Sequence, residues 1–320
     1  MDIPITQSKA WQKLQEDLGE TSFFEQTENY QYLVILKKTP VGNYLYLPYG
    51  PVVKSETSLK ESLKSLKNLA AKHRAIFIRM EPQNPNLISN PPKNIIKTKD
   101  LNPKDTWVLD LSQSEAEIIK NFSQGTRTRY NTYAKKGLSV KTTKNPDDIR
   151  YLVNLQQKLA KNKHIHAYPE AYLKKELEQP FATLYLVKYR TPNDSEPSPN
   201  SPPEDSVLAA SLFFDHQNTR YYMQSAADGE YKKLPATVAL LTKAIFDAKE
   251  KGIKYFDFWG IAPDGASDDH PWKGFTEFKK SFGGYPVHYA GTYDVVLSPS
   301  KYKLYQLSRR ANRILRKTRR

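Results

Sequence analysis

The chain has 320 residues, enough for two domains, and 38% hydrophobic with 12% aromatic residues marks a folding chain rather than a disordered one. It has no cysteine, which excludes a disulfide framework, a thiolate nucleophile and a thiolate metal site and fits a reducing cytosol. No run approaches the ~20 apolar residues of a membrane span, and the opening of the chain holds no apolar signal core.

Lys and Arg number 49 against 34 acidic residues, a net charge of +15. That field favours polyanionic partners such as nucleic acid, nucleotide sugars or anionic lipid. The positive charge concentrates around Arg127–Lys136 and in the tail Ser308–Arg320.

In chain order, Tyr32–Leu36 and Tyr44–Leu47 are short apolar runs joined by Thr39-Pro-Val-Gly-Asn43, a strand, turn and strand. After Tyr49-Gly-Pro51, Leu59, Leu63, Leu66 and Leu69 recur three or four apart and predict a helix from about Glu56 to Lys72. Ala75–Arg79 is a buried strand, Lys93–Leu101 is irregular, and Thr106–Leu111 is another strand. Ser112 or Ser114 caps a helix carrying Ile118, Ile119 and Phe122, with Glu115 and Glu117 in its first turn.

A second round starts near Pro146, with a helix from Asp147 or Asp148 towards Lys161. Phe181–Tyr189, Val207–Asp215 and Arg220–Ser225 are strands, Lys233–Glu250 is an amphipathic helix, and Tyr255–Trp259 is a strand. Both rounds run strands, a break (Tyr49-Gly-Pro51; Asp228-Gly229), a long helix and a short buried strand. That order is the centre of an acetyltransferase-like fold. The expected architecture is α/β (α+β), a tandem pair of acetyltransferase-like (GNAT-like) domains at 1–145 and 146–290. Thr191–Asp205, rich in proline and poor in apolar residues, is expected to be a disordered loop between paired strands.

Two constellations can carry chemistry. In the first, Arg127, Asn131 and Lys135 fall at i, i+4 and i+8, which predicts one helical face closed by Gly137. With Arg129, that face suits phosphate contact, and its bland alternative is a solvated basic helix. The second is Tyr255-Phe-Asp257-Phe-Trp-Gly260, an acidic turn, then Gly274-Phe-Thr-Glu-Phe278-Lys279-Lys280-Ser-Phe282-Gly-Gly284. Phe275, Phe278 and Phe282 are expected to anchor a short helix, with Lys279 at a cleft rim and Lys280 towards solvent. Such a lysine can stabilise an oxyanion or donate a proton, although an ordinary surface lysine has the same spacing. The six histidines show no metal-ligand spacing, so no metal and no cofactor are expected. No Gly-x-Ser-x-Gly elbow or Walker-type phosphate loop occurs.

Read together, these segments resemble the Fem family of peptidoglycan-bridge aminoacyltransferases, in its compact form without a coiled-coil arm. Tyr255–Gly284 is similar to the family's Asp-x-x-Gly strand end followed by Phe-Lys-x-x-Phe-Gly-Gly. Phe122–Gly137 resembles its Arg, Asn and Lys segment, Leu47–Val52 its Pro-x-Gly-Pro turn, and Ile78–Pro82 its Arg-x-Asp/Glu-Pro strand end. Met223–Gly229 is similar to the lead into the second long helix, which puts Tyr222 and Gln224 among the implied substrate-binding residues.

The resemblance implies transfer of an amino acid from aminoacyl-tRNA to the stem-peptide amine of UDP-MurNAc-pentapeptide or lipid II. The implied location is the cytoplasm, at the inner face of the plasma membrane for the lipid-linked acceptor. By position Lys279 matches the lysine that stabilises the transfer intermediate, and Glu81 matches an acidic cleft residue. Where relatives carry a phosphate-binding arginine, His166–Tyr172 has none, leaving Tyr168, Tyr172, Arg127 and Arg129 as candidates. Residues 291–320 are expected to return to the first domain and end in a basic helix, its Leu304, Leu307, Ala311 and Ile314 forming an apolar stripe. Arg309, Arg310, Arg313 and Arg316 would there meet tRNA or membrane. Competing readings are an acyl-CoA-dependent N-acyltransferase, disfavoured by the acidic, single-glycine turn Ala226–Ala236, and a non-enzymatic basic RNA-binding protein.

Overall fold

The computed structural model describes residues 3–163, 167–192, 196 and 198–318, without the side chains of 161–163 and 312–318. The first elements are α1 (Lys9–Asp17), β1 (Thr21–Gln26), β2 (Tyr30–Lys37), β3 (Asn43–Leu47), β4 (Val52–Val53) and α2 (Glu56–Lys72). They are followed by β5 (Ala75–Met80), β6 (Ile95–Lys97), β7 (Asp105–Asp110), α3 (Glu115–Asn121), α4 (Gln124–Thr132) and β8 (Leu138–Thr143). Next come α5 (Ile149–Lys163), α6 (Glu170–Leu177), β9 (Ala182–Tyr189), β10 (Val207–His216), β11 (Thr219–Ala227) and α7 (Ala236–Glu250). β12 (Tyr255–Gly260), α8 (Lys273–Lys280), β13 (Tyr285–His288), β14 (Tyr293–Val296) and α9 (Pro299–Thr318) complete the order.

Two compact units result, one of residues 3–104 with 288–320 and one of 105–287. This differs from a division at 145/146. The physical reason is strand pairing: β7 and β8 hydrogen-bond within the second sheet, whose order is β13-β7-β12-β11-β10-β9-β8. The first sheet runs β1-β2-β3-β5-β14-β6, with β4 on β2. β14 pairs antiparallel with both β5 and β6, so the segment beyond residue 290 belongs to the first unit.

Each sheet contains a parallel pair joined through a long helix, as parallel strands require. In the first unit β3 and β5 are joined through α2, and in the second β11 and β12 through α7. Leu59, Leu66 and Ala70 of α2 bury against Val34, Leu45, Ile78 and Val295. Val238, Leu241, Ala244, Ile245 and Ala248 of α7 bury against Val187, Phe213, Phe256 and Phe258. Both units are therefore mixed α/β layers of the expected acetyltransferase-like order.

Local differences have local causes. Lys233 and Leu234 stand outside α7 because Pro235 disfavours helical geometry in the residue before it. Residues 93–101, read as irregular, contain β6, which pairs with β14 far along the chain and so leaves no local pattern. Ser114 closes a capping box with Glu117, which decides between the two serines. Of the loop Thr191–Asp205, residues 193–195 and 197 lie outside the described residues, as do His164 and His166. Among the described residues, no helix is long and apolar enough to cross a membrane.

Candidate active site

In the second unit, β12 ends in a distortion that the sequence builds deliberately. Asp257 accepts the Trp259 backbone N–H at 2.7 Å, Trp259 takes a left-handed φ of 64°, and the register with β7 shifts between Asp257 and Gly260. A non-glycine residue tolerates that backbone only when its surroundings enforce it. Here the Asp257 carboxylate clamps the bulge, and the Gly260 carbonyl is left to accept a bond from outside the strand.

That bond comes from α8. Lys279 Nζ donates to Gly260 O at 2.5 Å, and one turn earlier Thr276 Oγ1 accepts from Ala262 N at 2.8 Å. Phe282 is fully buried against Phe258 and Phe122, while the Gly283 carbonyl accepts from Trp107 Nε1 at 2.7 Å. Gly284 has φ 99°, and a Cβ there would stand 2.3 Å from the Val108 carbonyl oxygen, so the double glycine is a steric requirement. Phe275 departs from the expected aromatic face, being 52% exposed, and Thr276 takes the buried position. The short helix turns its inward side through Thr276, Phe278 and Lys279, and Phe282 enters the core from beyond its end.

Lys279 is half-buried, and burial brings its ammonium down to about 8, with the Asp257 charge opposing that fall. Burial pushes Asp257 up to about 7, against the Trp259 amide and the Lys279 charge. An acid and a base with neighbouring proton affinities thus share one strand end near neutral pH. Lys280 is exposed, with its ammonium 5.5 Å from the Trp107 ring centroid.

The basic segment is tied to the same helix. Thr126 Oγ1 donates to Ser281 Oγ at 2.8 Å and Ser123 N to Ser281 O at 2.7 Å. The expected single face does not form. α4 stops at Thr132, Lys135 sits in a 3-10 turn, and Gly137 closes it at φ 75°. Arg127 spends Nη1 on the Lys120 and Phe122 carbonyls, at 2.7 and 2.5 Å, capping α3. Arg129, Asn131 and Lys135 are exposed.

A second cluster gathers Tyr172 and Gln224 around Glu176, a carboxyl with no exposure at all, which burial pushes up to about 8. Tyr168 stacks on Tyr172 at 5.3 Å and is 45% exposed. Tyr222 points its hydroxyl at Ser225 Oγ, 2.6 Å away, and stacks on Phe213. Neither Asp257 nor Glu176 stood out as a site residue in the sequence. Asp257 had a signal in its Asp-x-x-Gly strand end, whereas Glu176 lies in an unremarkable polar helix.

Glu81 belongs to the first unit and is fully engaged. Its carboxylate accepts from Tyr46 Oη, Tyr49 N, Asn102 N, Asn102 Nδ2 and Thr292 Oγ1, all within 2.8–3.2 Å. Such a carboxylate anchors the Tyr49–Pro51 turn and the 102 and 292 segments. With five donors on its two oxygens, the arrangement suits an anchor rather than a proton acceptor. Arg309 and Arg310 are exposed on α9 in the first unit, and the side chains of Arg313 and Arg316 lie outside the described residues. Leu304 and Leu307 are exposed while Tyr302 and Tyr305 bury, so the expected leucine stripe faces away from the core. Among the described residues, no three His, Asp or Glu side chains gather as a metal site.

The FemAB family model matches residues 4–101 and 190–310. The structure is similar to a crystal structure of FemX, with a TM-score of 0.79 and 16% identity, covering 94% of each chain. It is also similar to the C-terminal domain of a putative lysylphosphatidylglycerol synthetase from Agrobacterium fabrum, with a TM-score of 0.61, 12% identity and 94% and 92% coverage. L-PGS from Bacillus licheniformis aligns with a TM-score of 0.57 and 13% identity over 98% of this chain and 99% of that one. No curated protein matches significantly.

Proposed function

Because the chain belongs to the FemAB family of peptidoglycan-bridge transferases, we propose that it moves an amino acid from aminoacyl-tRNA to the stem-peptide amine of a peptidoglycan precursor. The acceptor is UDP-MurNAc-pentapeptide or lipid II, and the reaction runs on the cytoplasmic side, where charged tRNA is found. The observation that carries this reading is Lys279, a half-buried ammonium fixed on the Gly260 carbonyl beside Asp257.

An aminoacyl ester is already activated, so the protein must chiefly position it and stabilise developing charge. The acceptor nitrogen, once neutral, attacks the ester carbonyl carbon, and the carbonyl electron pair moves onto oxygen. Lys279 stabilises that oxyanion. On collapse the bond to the ribose oxygen breaks, the Lys279 ammonium, poised near 8, protonates the departing alkoxide, and the surplus proton on the newly bonded nitrogen passes back to the lysine, leaving a neutral amide. A free alkyl amine has a pKa of about 10.4 and arrives protonated, so its proton must leave before attack. Asp257, pushed up to about 7, keeps Lys279 charged rather than serving that amine directly. Glu81 supports the first unit's turn. Tyr168, Tyr172, Tyr222, Gln224, Arg129, Asn131 and Lys135 remain the substrate-binding candidates of the second unit.

The test is single-turnover transfer from a mixed pool of charged tRNA to each precursor, with the product weighed. Lys279→Ala should lower the transfer rate by about 100-fold or more, the scale of losing one oxyanion donor. Full transfer by that variant would remove Lys279 from the chemistry.

A further inference from the structure

A recess of about 370 Å³ opens entirely within the first unit, between α9 and the 98–101 segment. Its wall includes Arg79, Lys99, Tyr305, Gln306, Arg309 and Arg310. Arg79 is already neutralised, holding Asp294 through Nε and Nη2 at 2.7 Å each. Asp100, also at the rim, accepts the Thr292 amide at 2.8 Å. Lys99, Arg309 and Arg310 form no ion pair among the described residues, so the recess carries a surplus of positive charge. Tyr305 is 5% exposed, and its hydroxyl has no hydrogen-bond partner among the described residues. A buried hydroxyl left so is costly, which points to a polar group supplied from outside.

We propose that this recess seats a backbone phosphate of an RNA, with the following phosphates running along α9. This rests on the reading of an RNA-borne amino acid donor. Guanidinium and ammonium groups around one neutral hydroxyl suit a phosphodiester, which accepts from all of them. The sequence repeats arginine at 313 and 316, four and seven residues beyond Arg309, so these positions share its helical face. A row of cations along one face suits a linear polyanion better than a single ion. A lipid surface fits this place less well. The exposed Leu304 and Leu307 lie on the side of α9 away from buried Tyr302 and Tyr305, so a bilayer meeting the leucines would not meet the recess.

The test measures binding of deacylated bulk tRNA by fluorescence anisotropy across a salt series. The proteins are the full chain, a Lys99→Ala/Arg309→Ala/Arg310→Ala variant and a Tyr305→Phe variant. The triple variant should bind about tenfold more weakly near physiological salt, and its salt slope should fall by about 0.7–0.9 for each phosphate it no longer neutralises. Tyr305→Phe keeps the ring, so it should lose binding without losing thermal stability. If the parent binds tRNA and the triple variant matches it in affinity and slope, the recess is not the site, though an RNA donor survives. Should the parent bind no tRNA even at low salt, the donor reading falls with it. Loss of sedimentation with phosphatidylglycerol vesicles, at unchanged tRNA affinity, would reassign the recess to a lipid phosphate and overturn the proposal.

Discussion

Replacing Asp257 by Asn separates the two duties of that side chain. The amide oxygen can still accept the Trp259 N–H, so the β12 bulge and the Gly260 carbonyl should stay in place. What disappears is the negative charge that opposes the burial of Lys279. Burial has brought that lysine from 10.5 to about 8, a cost to its charged form of about 3 kcal/mol at 1.36 kcal/mol per pKa unit. An opposite charge nearby is worth roughly one to three units, so Asp257→Asn should lower Lys279 by at least about one, to near 7. If transfer needs the ammonium, the ratio of variant to parent rate follows the ratio of protonated fractions. That ratio stays near one at about pH 6, where Asp257 is itself protonated and both lysines are charged, and drops to about one tenth by about pH 9. Taking the ratio cancels the titration of the attacking amine, which is common to both proteins. Single-turnover transfer measured across that range, with circular dichroism to confirm the fold, gives the result. A ratio independent of pH would refute the argument that the Lys279 charge acts and that Asp257 sustains it.

Three other outcomes follow from buried groups. Glu176 has a folded pKa of about 8 against an ordinary 4.5, so its favourable contribution is whole below about pH 4.5 and is lost as pH rises through about 8. Glu176→Gln should therefore match the parent near pH 5 and exceed it by about 3–5 kcal/mol near pH 9, read from urea midpoints. Glu81→Gln cannot accept all five donors and should cost about 2–4 kcal/mol, while the folded fraction keeps its transfer rate. Parental stability with transfer abolished would make that carboxylate chemical rather than structural. Gly284→Ala forces a Cβ against the Val108 carbonyl at positive φ and should cost about 2 kcal/mol or more in thermal unfolding.

The parts of the fold legible in the sequence were those with strong local period. α2 shows its leucines at three- and four-residue spacing and occupies the range that spacing marks out, and the buried strands β5, β7 and β12 announce themselves as short apolar runs. α1 and β1 carried little such pattern, and every residue of β1 is at best half-buried, so nothing in its alternation set it apart. The 104/105 division was invisible for a different reason. It depends on β7 crossing to pair with β12 and β13, a long-range choice that composition on either side does not record.

The site divides along the same line. Lys279 could be singled out because aromatic and glycine neighbours surround it in the chain, yet its perturbation comes from burial in the folded unit, and the charge that opposes it is Asp257, twenty-two positions earlier at the β12 bulge. Arg127 shows the converse. Its type and spacing suit phosphate, but the turn after α3 leaves two carbonyls open, and the guanidinium closes them before any substrate arrives. Glu81 likewise has the chemistry of a base and the surroundings of an anchor, with five donors already in place. Residue type sets what a side chain can do. Whether it does so depends on how many of its bonding positions the fold has already filled, and by that measure Lys279 is the member of the group whose remaining hydrogens and perturbed proton affinity suit it to act on a substrate.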